Sequence, residues 1–182
     1  TTVVHHGPKY REMYRKDFPV RVIKDYGWSH SLHFDAEDQI VKSYQSTPKD
    51  HAWFIHLAEG TDAIAQGEYQ RLKALGCVGE NMVIVHGVGL TYNDAVDFYQ
   101  ARNNNIGNGI RIVICPTTNQ YLLNQLINQR IITSVASIMI GSDSRLTADG
   151  DLLDEIQYIH KHFTVHPPTW IIRQITIEPA KI

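Results

Sequence analysis

The chain has 182 residues, with 17 Lys and Arg against 19 Asp and Glu, and is 43% hydrophobic. This is the composition of one soluble globular domain with a sizeable core, and it excludes an intrinsically disordered chain. With a formal charge of −2 and no basic cluster, neither nucleic acid nor a membrane surface is an expected partner.

Short β-branched runs alternate with longer amphipathic stretches along the chain. Strands are predicted at 2–6, 20–26, 53–58, 81–87, 110–116 and 135–142, with a shorter seventh at 29–34. Their apolar runs are nearly continuous, as in parallel strands buried on both faces. Helices are predicted at 61–76, 91–102 and 149–162, with a last one at 168–174 after the Pro167–Pro168 pair. Thr91 followed by Asp94 has the spacing of a capping box. No apolar run approaches the roughly 18 residues of a membrane-spanning helix. The opening "TTVVHHGP" lacks methionine and lies in a strand-like run, so the expectation is that the chain begins inside a larger protein.

Such alternation predicts an α/β domain with a parallel sheet, doubly wound or a barrel. No glycine-rich phosphate loop follows the first strand, which weighs against a dinucleotide fold. Ligand-type residues instead recur at strand ends: His56, His86, Cys115 with Asn119, and Asp143. A TIM-like barrel gathers its C-terminal strand ends at one site, so the barrel reading explains the pattern.

Taken singly, each residue also has a plain structural reading. A strand-end histidine is more often hydrogen-bonded scaffold than ligand, and Asp143 would serve as a helix cap. Glu59 lies one turn beyond His56, where it either moves protons or sits exposed in the first turn of a helix. Cys115 reads as a small buried residue, and two cysteines without CxxC spacing predict a reducing, cytoplasmic location. In "HKH" (160–162) the two histidines fall two apart on a helix and do not face each other. In "HH" (5–6) they would point to opposite faces of a strand.

Read in order, "FIHLAEGTD", "VIVHGVGL", "VICPTTN" and "IMIGSDSRLTADGDLLDEI" resemble the amidohydrolase superfamily, in its deaminase and triazine-hydrolase branch. The resemblance covers nearly everything from residue 53 onward and implies one domain over 1–182. That domain is an incomplete TIM-like (β/α) barrel, lacking at least the first strand and the flanking small β-domain. It further implies one divalent metal ion, zinc first and iron or manganese next. His56, His86 and Asp143 would be the ligands, and Glu59, His86 and Asp143 the catalytic groups. Asn119 and Ser144 match motif positions as pocket support, while Trp28, Arg145, Tyr26 and Trp53 are further pocket candidates.

The implied activity is hydrolysis of a C–N or similar bond in a small cyclic amidine, amide or nucleobase-like substrate. The family's first-strand H-x-H is not matched here, so this chain alone is expected to bind metal weakly or not at all. The alternative is a non-catalytic fragment or degenerate barrel with a structural or ligand-binding role. Open strand edges at 2–6 and 135–142 predict association into a homo-oligomer.

Overall fold

The computed structural model describes residues 2–4, 11–103, 109–148, 150–163 and 166–182. Strand β1 (Thr2–Val4) pairs with β2 (Arg21–Ile23). Strands β3 (Gly27–Ser29), β4 (Trp53–Leu57), β5 (Met82–His86), β6 (Arg111–Ile114) and β7 (Ser137–Ile140) form one sheet in exactly that order of neighbours. All pairings are parallel, with Trp28 opposite Phe54, Phe54 opposite Val83, and Val113 opposite Met139.

Strand order decides the architecture. A doubly wound sheet reverses its direction of growth at a switch point. From β3 to β7 each strand is added beside its predecessor, so right-handed crossovers put the connecting helices on the same side and the sheet curls. The described residues form a partial (β/α) barrel, a five-stranded parallel sheet beside the β1–β2 pair, where the closed form has eight strands.

Alternation along the strands separates two cores. Trp53, Ile55 and Leu57 of β4, with Ile84, Ile112 and Ile138 of the next three strands, pack outward among helix residues Tyr69, Leu72, Phe98 and Ile159. Ile23, Phe54, Val83 and Met139 line the concave face, joined by Val85, Val113 and Ile182. Fully burying one large apolar side chain is worth about 1.5–3 kcal/mol, so the outer core is the main source of stability.

Among the described residues, seven α-helices connect and flank the strands: α1 (Glu37–Ser46), α2 (Ala63–Ala74), α3 (Tyr92–Asn103), α4 (Pro116–Leu123), α5 (Gln129–Ser134), α6 (Leu152–His162) and α7 (Pro168–Thr176). Their starts follow local chemistry. Asp62 accepts the Ala65 N–H at 2.9 Å, and Asp94 accepts the Thr91 N–H at 2.7 Å. Asp151 and Asp154 form a reciprocal capping box at α6. Pro116 and Pro168 stand in first turns, where a missing N–H costs nothing.

The structure corrects several expectations. Of the strand predicted at 29–34, only Ser29 is extended, because the Ser31 hydroxyl oxygen accepts the N–H groups of His33 (3.3 Å) and Phe34 (3.2 Å) and turns the chain. The strand predicted at 20–26 shortens to Arg21–Ile23. Helices α1, α4 and α5 were not foreseen. Helix α1 buries only Ile40 and Tyr44, too sparse a stripe to read, and α5 has six residues. Pro116 opens α4 rather than merely ending a strand. His5 and His6 lie outside the described residues.

Beyond α7 the chain folds back onto the sheet. Buried Glu178 accepts hydrogen bonds from Ser137 Oγ of β7 (2.7 Å), Arg173 Nε (2.8 Å) and Lys181 Nζ (2.8 Å). Burial by itself would raise its pKa, but the bonds from Lys181, Ser137 and Arg173 outweigh burial and hold the carboxylate below its ordinary range. A depressed folded pKa contributes stability above the unfolded value of about 4.3, lost as pH falls through the folded pKa. Glu178→Gln is expected to cost about 1 kcal/mol at pH 7, a modest figure because Arg173 and Lys181 are half exposed to screening solvent. Chemical denaturation at both pH values checks it: the gap from the parent should close below about pH 4.

Candidate active site

The C-terminal ends of β4, β5 and β7 meet at one rim of the concave face. A cavity of about 380 Å³ there is lined by His56, Cys115, Ser142 and Asp143, above Phe54, Val85, Val113 and Met139.

His56 is the fourth residue of β4, on the concave side with Phe54. Its backbone N–H and its ring Nδ1 both reach the carbonyl oxygen of His30, each at 2.9 Å. A carbonyl only accepts, so Nδ1 carries a proton, and in the neutral ring the lone pair is on Nε2. This is the carbonyl-backed imidazole arrangement of metal-ligating histidines. The His30 ring stacks on His56 with centroids 4.9 Å apart, and the His86 ring lies 5.5 Å from His56 on a near-parallel plane.

His86 ends β5 and is almost wholly buried. Its φ of 75° turns it out of the alternation that sends Met82 and Ile84 to the outer core. Asn119 Nδ2 lies 3.0 Å from Nδ1, and with the amide in this orientation Nδ1 accepts. His86 Nε2 then carries the proton, 3.5 Å from Glu59 Oε2. Burial, with His56 adding to it, pushes the imidazole pKa down to about 3 against the bond from Asn119, so His86 is neutral at physiological pH.

Asn119 is held indirectly. It lies on α4, whose first turn is fixed by Glu155 of α6. The buried Glu155 carboxylate accepts the Thr117 N–H at 3.2 Å and the Thr117 hydroxyl. Glu59 stands in the β4–α2 loop, and burial together with the nearby Asp143 charge raises its pKa. Asp143 follows β7 at φ 54° and is exposed at the cavity mouth.

Among the described residues, three of the four non-glycine residues with positive φ, Ala58, His86 and Asp143, sit at these strand ends. His and Asp visit that region more readily than most residues, whereas alanine does so rarely.

The remaining candidates divide. Asn119 is at the site. Ser144 and Arg145 are exposed in the turn after Asp143, and Ser144 Oγ accepts the Leu146 N–H at 3.2 Å. Trp28 is partly exposed, at 41%, and does not line the cavity. Trp53 is fully buried in the outer core against Tyr44, so its pocket role is corrected to packing. Tyr26 packs edge-on against Phe54. Cys115 is buried and free, its thiol pushed well above the ordinary range by burial and surrounding carboxylates, and is unsuited to nucleophilic attack. His160 and His162 are exposed at the end of α6.

No three His, Cys, Asp or Glu side chains among the described residues converge closely enough to hold a metal ion. His56 and Asp143, which both line the cavity, fit part of such a set. Two contributors escaped sequence reasoning: the His30 carbonyl, which no side-chain pattern reveals, and Glu68, an ordinary-looking acid within α2.

Solved structures share this fold. An adenosine deaminase from Xanthomonas campestris with bound zinc superposes with a TM-score of 0.68 at 17% identity, over 93% of this chain and 40% of that one. An atrazine chlorohydrolase from Arthrobacter aurescens TC1, complexed with zinc, gives 0.70 at 16% identity over 94% and 40%. A triazine hydrolase variant gives 0.69 at 16% identity over 89% and 37%. This chain has the fold of those hydrolase barrels. It spans about 40% of their length. No protein-family model and no curated protein sequence matches it. The resemblance to amidohydrolases read from the motifs thus holds at the level of fold.

The ring tautomers are directly measurable. Nitrogen-15 NMR of the chain with chelator present should show His56 protonated at Nδ1, and His86 protonated at Nε2 and uncharged down to about pH 4. A His86 that titrates near pH 6.5 would contradict the geometry.

Proposed function

We propose that this chain is the larger part of the catalytic barrel of a metal-dependent hydrolase of amidohydrolase type. The reading is that it acts on a C–N or similar bond of a small cyclic substrate. The observation that carries it is the His56 imidazole, lining the cavity with its Nδ1–H spent on the His30 carbonyl. Similarity to zinc-bound deaminase and chlorohydrolase structures supports the same reading.

His56 and Asp143 would hold the ion, with further donors supplied from beyond the described residues. Zinc suits this imidazole and carboxylate pair, as do iron and manganese. A divalent ion there supplies the Lewis acidity that lowers the pKa of water from about 15.7 to about 7. Asp143 takes a proton from the attacking water. Glu59, protonated readily in its half-buried position, delivers one to the leaving group. His86 does not ligate in this scheme: its Nε2–H donates a hydrogen bond to Glu59 or to a substrate atom beside it. The apolar side chains beneath hold a flat ring and exclude water.

A non-catalytic role is the second reading, and one observation favours it: no three ligand-type side chains converge among the described residues. Metal analysis separates the two. The longer polypeptide carrying this chain should hold about one divalent ion, and His56→Ala should lose it. Glu59→Gln should keep the ion and lower kcat by roughly 10²–10⁴-fold on cyclic amidines or amides. A polypeptide that stays metal-free and inert towards such a panel would leave the non-catalytic reading standing.

The same reading includes self-association. Strand β7 ends the sheet order, leaving an unpaired edge among the described residues. Sedimentation velocity at high protein concentration should show dimers or larger species of this chain, and a clean monomer would refute this. A reducing compartment suits its two free, buried cysteines. No described helix is long and apolar enough to cross a membrane.

A further inference from the structure

We infer that Glu68, on the outer helix α2, is a positioning residue that sets where Glu59 stands against His86. The inference rests on the proposed function only for the chemistry Glu59 performs; its geometry stands alone.

Glu59 follows Ala58, which is fully buried at φ 54°. Alanine gains nothing from that conformation: the left-handed region is unfavourable for an L-residue, and alanine has no polar side chain to offset it. Surrounding structure must therefore impose it. Two hydrogen bonds do so. The Ala58 N–H donates to Glu68 Oε2 at 2.6 Å, a short charge-assisted bond, and the Ala58 carbonyl accepts the Gly89 N–H at 2.8 Å.

Gly89 belongs to the loop that follows His86, so the second bond ties the Glu59 loop to the His86 loop. Glycine is required there by contact: a Cβ would lie 2.8 Å from the Gly60 carbonyl oxygen and 3.1 Å from Ala65 Cβ. On the far side of Glu59, Asp62 caps α2 through the Ala65 N–H at 2.9 Å. Glu59 thus stands on a short span pinned at Ala58 and at Asp62, and Glu68 holds the first pin. Burial raises the Glu68 pKa, with the Ala58 N–H and Arg71 acting against it, as for a carboxylate kept inside for the bond it accepts.

A merely structural Glu68 would change stability alone, whereas a positioning Glu68 changes how strongly Glu59 is felt at His86. The test is a mutant cycle read on the His86 Nε2 resonance by nitrogen-15 NMR, in this chain with chelator and no substrate. Glu59→Gln is made in the parent, in Glu68→Gln and in Glu68→Ala, with the thermal midpoint of each recorded. Glutamine retains an oxygen that accepts the Ala58 N–H. The displacement caused by Glu59→Gln should be preserved in Glu68→Gln and at least halved in Glu68→Ala. Equal displacements in all three backgrounds would overturn the inference. If Glu68→Ala does not fold, Glu68→Asp, shorter by one methylene, takes its place with the same expected halving. Because the readout needs neither metal nor turnover, coupling without hydrolysis would sink the proposed function alone. Hydrolysis without coupling would sink this inference alone.

Discussion

One carbonyl oxygen, that of His30, organises the site. It accepts both the backbone N–H and the ring Nδ1–H of His56, joining the end of β3 to the end of β4. With the proton held on Nδ1, the orientation and the free lone pair of the imidazole are settled before any ligand arrives. The rest of the site is arranged around that ring: His30 and His86 stack on either side, and Asp143 closes the cavity it faces.

Placing these groups together has a backbone cost. Ala58, His86 and Asp143 adopt positive φ where their strands end, each at roughly 1–3 kcal/mol for a residue held in a sparsely populated region. The outer core meets that cost. Strands packed through Ile55, Ile84 and Ile112 against Leu72, Phe98 and Ile159 form a scaffold stiff enough to hold strained loops. Helices reach the site through a few polar links: Glu155 to Thr117 fixes α4 and so Asn119, while Glu68 reaches Ala58 directly from α2.

Much of this was legible in the sequence because strand ends are punctuated. An apolar run closing on His56, His86 or Asp143 shows both the strand and the residue at its mouth, and parallel alternation places those mouths on one rim. Asn119 was legible as a neighbour of the site for the same reason. What failed was local or non-periodic. The Ser31 turn overrides a strand-like composition at 29–34, and Trp53 resembles a pocket aromatic until alternation assigns it to the outer core. Backbone acceptors such as the His30 carbonyl leave no trace in residue identity. Glu68 is nine positions from Glu59, and only the fold brings it to Ala58.

The most direct test of the account is anomalous diffraction at the zinc edge from crystals of the polypeptide carrying this chain, grown with zinc. The account predicts an ion bonded to His56 Nε2, with Nδ1 still on the His30 carbonyl and Asp143 beside the ion. An ion bound away from the β4, β5 and β7 strand ends, or a His56 ring turned to place Nε2 on that carbonyl, would contradict it.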